Sequence, residues 1–348
     1  MPGESAQGPG EAVQRDAAHA SDAAGVAVAV LDDYQNVARD YGDWESLPAG
    51  TEVVVFDEHI ADSDELVRRL ARFDVVAAMR ERTAFPREVL EALPRLRLLV
   101  TTGMGNAAID MQAAAENGVT VCGTGNGSAA GDDWAPTAEL TWGLILALAR
   151  GIPREDRAVR TGGWQHTIGV DLGGRTLGVL GLGRLGGQVA TVGRAFGMEV
   201  LAFSENLTQE RASEFGARAV GKRELFTASD VVTIHMRLSE RSRGLVGRAE
   251  IDALGPEGYL INTSRGPIVD ELELIAALHE GRVGGAGIDV YGCEPLPADD
   301  PWRSAPRTVL TPHIGYVSET TYRAFYTETV EDIRRFLQGS PVRVLNGG

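Results

Sequence analysis

Cysteine is scarce: Cys122 and Cys293 are the two in 348 residues. Two thiols build no disulfide framework, and neither sits in a spacing that ligates a metal. No metal site is expected, and a reducing cytoplasmic setting fits. Cys293 reads as a small packing residue rather than a nucleophile. Long apolar runs are also missing. The most apolar stretch, residues 140–149, is too short to cross a bilayer and is bounded by Glu139 and Arg150, so it reads as a buried helix. Residues 1–24 are rich in Ala, Gly and acids and lack the apolar core of a secretory signal; they read as a disordered tail. No cluster of Lys and Arg stands out, and the formal net charge is −16. A broadly acidic surface repels phosphate backbones, so neither nucleic acid nor a membrane is an expected partner.

What is present is ordinary globular composition, 43% hydrophobic and 24% charged, with an excess of glycine at 43 residues. The length suggests two domains, each able to bury its own core. Strand patterns fall at residues 26–31, 52–56, 74–79, 96–101 and 119–122, with helical spacing at 62–71 and 110–117 between them. A Gly-, Ser-, Asn- and Asp-rich loop at 123–136, carrying Asp132, Asp133 and Trp134, leads to a helix at 140–150. The alternation then restarts, with strands at 176–180, 199–203, 231–235, 259–262, 285–290 and 308–310 and helices at 187–196 and 270–279. A last helix, 319–337, carries Tyr322, Phe325, Tyr326, Val330, Ile333 and Phe336 at helical spacing; these read as core. Alternating strands and helices predict an α/β chain of two doubly wound parallel-sheet domains. The last helix follows the second sheet's final strand and is expected to pack back on the first unit.

Gly181-Leu182-Gly183-Arg184-Leu185-Gly186 lies between a strand pattern and a helix pattern. In that context Gly181 allows a tight turn, Gly183 lets backbone approach a pyrophosphate, and Gly186 permits close helix–strand packing. The helix start, with Arg184 and Leu185, favours the anion. A dinucleotide cofactor follows. The ribose-binding acid expected about 20 residues on is replaced by Ser204. Glu205 beside it would repel a 2′-phosphate, which favours NAD and leaves NADP open.

Three further motifs follow: Asn262-Thr263-Ser264-Arg265-Gly266, Asp289-Val290-Tyr291-Gly292-Cys293-Glu294-Pro295 and Thr311-Pro312-His313-Ile314-Gly315. Arg265 and His313 fall just after strand patterns and Glu294 a few residues after one, at the edge where open parallel sheets hold ligands. Together they can reduce a carbonyl: Arg265 polarises it and holds a carboxylate, His313 moves the proton, and Glu294 supports the imidazole.

With these motifs in this order the chain resembles the D-isomer-specific 2-hydroxyacid dehydrogenases, of the phosphoglycerate dehydrogenase-like kind, over residues 26–345. The resemblance implies a flavodoxin-like substrate domain (25–136 with 316–348) and a Rossmann NAD(P)-binding domain (137–315). It implies reversible hydride transfer between NAD(P)(H) and a 2-oxo or D-2-hydroxy acid, with Arg265, Glu294 and His313 as the catalytic triad. It also implies that Asp289 binds the nicotinamide carboxamide, and that Thr263 and His235 lie beside the cofactor. Residues 101–106 match the loop whose backbone N–H groups hold the substrate carboxylate, which brings in Gly103, Met104, Gly105 and Asn106. Arg80 matches a position that faces substrate, with surface pairing to Glu81 as the other reading. A homodimer is expected through the 140–150 helix and residues 162–165. Departures from the pattern are Ser204, Arg237 where Pro is common, and the long 123–136 loop. Phosphite oxidation on the same fold and an NAD-sensing corepressor stay open as alternatives.

Overall fold

The computed structural model describes residues 25–125 and 135–347. The 1–24 tail and Asp132, Asp133 and Trp134 lie outside the described residues. Strands β1 (Ala27–Val30), β2 (Glu52–Val55), β3 (Val75–Ala78), β4 (Leu98–Thr101) and β5 (Thr120–Gly123) form a parallel sheet in the order β2-β1-β3-β4-β5. Strands β6 (Thr176–Leu180), β7 (Glu199–Phe203), β8 (Arg218–Ala219), β9 (Val231–Ile234), β10 (Tyr259–Asn262), β11 (Gly285–Ile288) and β12 (Thr308–Leu310) form a second, in the order β12-β11-β10-β9-β6-β7-β8. The first order is flavodoxin-like and the second Rossmann-like. β1, β3, β4, β9 and most of β6 are buried along their length. That accounts for their near-continuous Val, Leu, Ile and Ala: a parallel strand covered on both faces has no polar side to show.

Helix starts follow local chemistry. Asp62, Asp110, Asp270 and Ser318 each accept a hydrogen bond from a backbone N–H three residues on, contributing about 1 kcal/mol apiece. The helix Pro136–Ala149 starts earlier than the apolar run suggests, because Pro136 at its first turn has a preset φ and no N–H to satisfy. Trp142, Leu144 and Ile145 of this helix pack with Leu177, Val179 and Ile261 of the second sheet. The helix Glu319–Leu337 does pack on the first sheet: Tyr322, Phe325, Tyr326, Val330 and Ile333 join Val28, Val30, Val75, Leu98 and Val100 in one core.

Three features differ from the sequence reading. Residues 152–160, to which the sequence reading assigned no element, form the helix Ile152–Arg160, which buries none of its residues and so shows no core-facing run. The helices Arg87–Glu91 and Arg248–Leu254 are too short for periodicity to reveal. Beyond the last helix the chain returns to the first sheet's edge. Val344 pairs antiparallel with Cys122, and Leu345 N–H donates to Val121 O at 2.8 Å. The Asn346 side chain accepts from Val121 N–H and donates to Val119 O, both at 2.8 Å, so this strap covers a sheet edge that would otherwise stand open. None of the described helices is long and apolar enough to cross a membrane.

Candidate active site

Both sheets turn their carboxyl edges toward one cleft of about 980 Å³, lined from the first unit by Arg80 and from the second by Gly183, His235, Arg265 and His313. In the second sheet the winding direction reverses between β6 and β9, and the glycine turn follows β6 at that point.

Each glycine of the turn has its own reason. Gly181 has φ +101°, and a Cβ on it would stand 2.7 Å from His235 O. A Cβ on Gly186 would stand 2.2 Å from Gly181 O, so helix and strand touch there. Around Gly183 nothing lies within 4 Å of a Cβ position, and the residue is exposed at the start of the helix Arg184–Ala195. This open cradle of backbone N–H groups fits a pyrophosphate. Arg184 is exposed and Leu185 half-buried in the same first turn. Ser204 Oγ accepts from Leu182 N–H at 3.1 Å, tying the end of β7 to the turn, and Glu205 pairs with Arg241 at 2.7 Å. His235 lies against Thr233 Oγ1 at 2.9 Å, and desolvation pulls its pKa down to about 4, so its ring is neutral at pH 7. Thr263 is buried, its hydroxyl 2.9 Å from that of Thr141. Thr137, on the same helix as Thr141, donates to Gly315 O at 2.9 Å.

His313 and Glu294 come together, with Nδ1 to Oε2 at 2.5 Å. A carboxylate can only accept, so Nδ1 carries a proton and Nε2 is left for another partner. The other oxygen of Glu294 accepts from Tyr291 N–H at 2.8 Å, which fixes the carboxylate. His313 has φ +54°, a backbone state most residues avoid. Asp289 holds it there. Fully buried, Asp289 accepts from Thr311 Oγ1 at 2.6 Å, Ile314 N–H at 2.8 Å and Gly315 N–H at 2.9 Å. Burial raises its pKa, against the pull of those bonds.

Arg265 Nη1 donates to Ser264 O at 2.8 Å, and Nη2 reaches across the cleft to Glu81 Oε1 at 3.2 Å. Glu81 Oε2 lies 3.7 Å from Arg80 Nε, so the pairing considered for Arg80 exists, and it faces the cleft rather than the outer surface. Arg80 has φ +53° and is held by Thr102 Oγ1 on its N–H and Asn106 Nδ2 on its carbonyl, at 2.9 and 2.6 Å.

The 101–106 loop divides. Met104 and Gly105 are exposed, and no partner is found for their N–H groups among the described residues. Gly103 and Asn106 instead serve the first unit itself. Gly103 N–H donates to Thr124 Oγ1 at 3.0 Å, and the buried Asn106 side chain binds Arg80 O, Thr101 Oγ1 and Ala108 N–H. Gly103 N–H and the Asn106 side chain are thus engaged within the first unit, and it is Asn106, with Thr102, that supports Arg80's positive φ.

Sequence reading missed Arg82 and Tyr316. Arg82 donates to Asp32 O at 2.7 Å and lies over the Tyr34 ring at 4.5 Å and the Tyr316 ring at 5.6 Å. Tyr316 stands edge-on to His313 at 5.6 Å. Arg82's position two residues after Arg80 was the available signal. Cys293 is exposed, while burial pushes the Cys122 thiol up to about 12. Among the described residues no His, Cys, Asp and Glu cluster could hold a metal.

Residues 142–315, half of the chain, match the family model for the D-isomer specific 2-hydroxyacid dehydrogenase, NAD binding domain. The chain is 34% identical over 282 residues to a D-3-phosphoglycerate dehydrogenase of Archaeoglobus fulgidus, covering 80% of this chain and 52% of that protein. It thus spans about half the length of that relative. It is 35% identical over 269 residues to a glyoxylate reductase of Aeropyrum pernix, covering 74% of this chain and 79% of that one. A solved phosphoglycerate oxidoreductase from Vibrio cholerae is similar with a TM-score of 0.83 and 33% identity, over 90% of this chain and 100% of that structure. With its glycine turn, its paired Glu294 and His313 and these matches, the chain belongs to the D-isomer specific 2-hydroxyacid dehydrogenases, and its second unit is an NAD-binding domain.

Proposed function

We propose that this chain catalyses reversible hydride transfer between NAD(H) and a 2-oxo or D-2-hydroxy acid. The observation that carries the proposal is the Glu294–His313 contact facing the same cleft as the Gly183 cradle and Arg265. When bound, the nicotinamide supplies the hydride. His313 Nε2 donates the proton to the substrate oxygen in reduction and takes it back in oxidation, while Glu294 fixes the ring and stabilises its charged form. Arg265 polarises the carbonyl with a planar fork of N–H groups. The free N–H groups of Met104 and Gly105 and the Arg80 side chain hold the substrate carboxylate. Asp289 sets the 311–315 turn and receives the carboxamide, and Ser204 Oγ meets the ribose. Glu205 beside it disfavours a 2′-phosphate, so NAD is preferred to NADP.

In this reading residues 25–136 with 316–348 form the substrate unit and 137–315 the cofactor unit. Exposed Ile152, Val159, Trp164 and Ile168 lie on or just after a helix that buries nothing, which supports a homodimer formed through this face. Light scattering on the eluted protein tests that, and a monomer would overturn it. The activity is tested by a panel of 2-oxo acids followed at the NADH absorbance band. Absence of turnover with every acid sinks the proposal.

A further inference from the structure

Glu81 puts a negative charge where a 2-oxo acid would present its own. Its carboxylate bridges guanidinium groups from both units, Arg265 at 3.2 Å and Arg80 at 3.7 Å. Arg80 also donates to Thr102 O at 3.3 Å. The third arginine on this side, Arg82, is consumed by Asp32 O, Tyr322 OH and the Tyr34 and Tyr316 rings. Arg237, for whose guanidinium no partner is found among the described residues, lies on the cofactor side. It follows Met236, which packs against Gly181. At the substrate end, therefore, the two guanidinium charges of Arg80 and Arg265 face the one carboxylate of Glu81. The net single positive charge matches one substrate carboxylate. At this end of the cleft, away from Arg237, a second anionic group would find no unpaired guanidinium and would face Glu81. Beyond lie Tyr316 and Phe325, which line the cleft with uncharged surface.

We propose that Glu81 acts as a charge filter: the cleft takes 2-oxo acids bearing a single carboxylate and an uncharged substituent, and rejects those carrying a second carboxylate or a phosphate. The inference rests on the hydride-transfer reading and names its substrate class. The physical basis is selection by repulsion: a like charge set in a partly desolvated cleft penalises the wrong ligand more than it affects the right one.

The experiment compares kcat/KM with NADH for phenylpyruvate and hydroxypyruvate against oxaloacetate and 3-phosphohydroxypyruvate. The single-carboxylate acids are favoured at least tenfold by the native protein. Glu81→Gln lowers that preference by about tenfold or more, and Glu81→Asp, which restores the charge, restores the preference. A native preference for the doubly anionic acids, or an unchanged ratio in Glu81→Gln, overturns the filter. Calorimetric binding of oxamate and of tartronate to the native protein with NADH reads the same selection without turnover. Tartronate binding as tightly as oxamate also overturns it. No turnover with any acid, but tight oxamate and weak tartronate binding, removes the proposed activity and leaves the filter standing.

Discussion

The two edges of the cleft reach unusual backbone conformations by opposite means. On the cofactor side the turn after β6 uses glycine: Gly181 takes φ +101° at no steric cost, and Gly183 leaves its space open. On the substrate side, besides Gly103 at φ +90°, Asp32 and Arg80 take φ +57° and +53° with their side chains in place, as His313 does at +54° in the second unit. Such states cost about 1–3 kcal/mol each and persist where neighbours over-determine them. The neighbours are visible: Asn106 and Thr102 around Arg80, Asp289 around His313. The contrast follows from what each edge must present. A pyrophosphate is met by backbone N–H groups, so a side chain is an obstruction. At Arg80 and His313 it is the side chain that is presented to the cleft, so the residue has to be retained and its strain offset by hydrogen bonds.

The sharpest test separates the two edges. Replacing His313 with Ala should lower turnover of a 2-oxo acid by about 10²- to 10⁴-fold while NADH binding, read by fluorescence, stays within about twofold. An equal loss of both would mean that the edges are not independent. The next test is within the glycine turn. Gly186→Ala forces a Cβ to within 2.2 Å of Gly181 O and should lower the melting temperature by several degrees. Gly183→Ala meets nothing in the free protein, so it should leave the melting temperature nearly unchanged and weaken NADH binding by about tenfold or more. If both variants melt alike, the open cradle is not the feature that distinguishes them.

On the substrate side, Asn106→Ala removes three hydrogen bonds behind Arg80 and should cost about 1–3 kcal/mol in urea unfolding. It should raise KM for the acid more than it lowers kcat. A change in kcat alone would show that Asn106 serves something other than Arg80's placement. The smallest effect is expected far from the cleft, where the C-terminal strap meets the last helix. Asp332 is fully buried beside Arg343, has one oxygen without a partner among the described residues, and is raised by burial to about 7. A carboxyl raised above its unfolded value near 4 binds its proton more tightly when folded, so the folded form gains as pH falls from above 7 toward 4. Asp332→Asn should therefore raise the melting temperature at pH 8 and do so less at pH 5. A larger gain at pH 5 would show that the Arg343 ion pair outweighs burial.

Much of this was legible in one dimension because it rests on local chemistry. Continuous apolar runs named the buried parallel strands, helical spacing named the segments at 62–71, 110–117 and 319–337, and the spacing of Gly181, Gly183 and Gly186 named a phosphate turn. Arg265, Glu294 and His313 were recognisable because each follows a strand, and the ends of parallel strands share one edge. The helix Ile152–Arg160 was not legible, since a segment that buries nothing carries no core pattern. The strap at 344–346 was not legible either, because its pairing partner lies more than two hundred residues earlier.

By itself, the sequence determined two α/β units and a dinucleotide turn, and it singled out the His, Glu and Arg proposed to carry the chemistry. Those follow from residue type and short-range spacing. Only the tertiary structure decided that Glu81 reaches Arg265 across the cleft, and that Asn106 and Gly103 turn inward. It alone showed that Asp289 holds the turn carrying His313. These relations depend on where separate loops end in space after both sheets have packed, and no local pattern encodes a distance between two loops 184 residues apart.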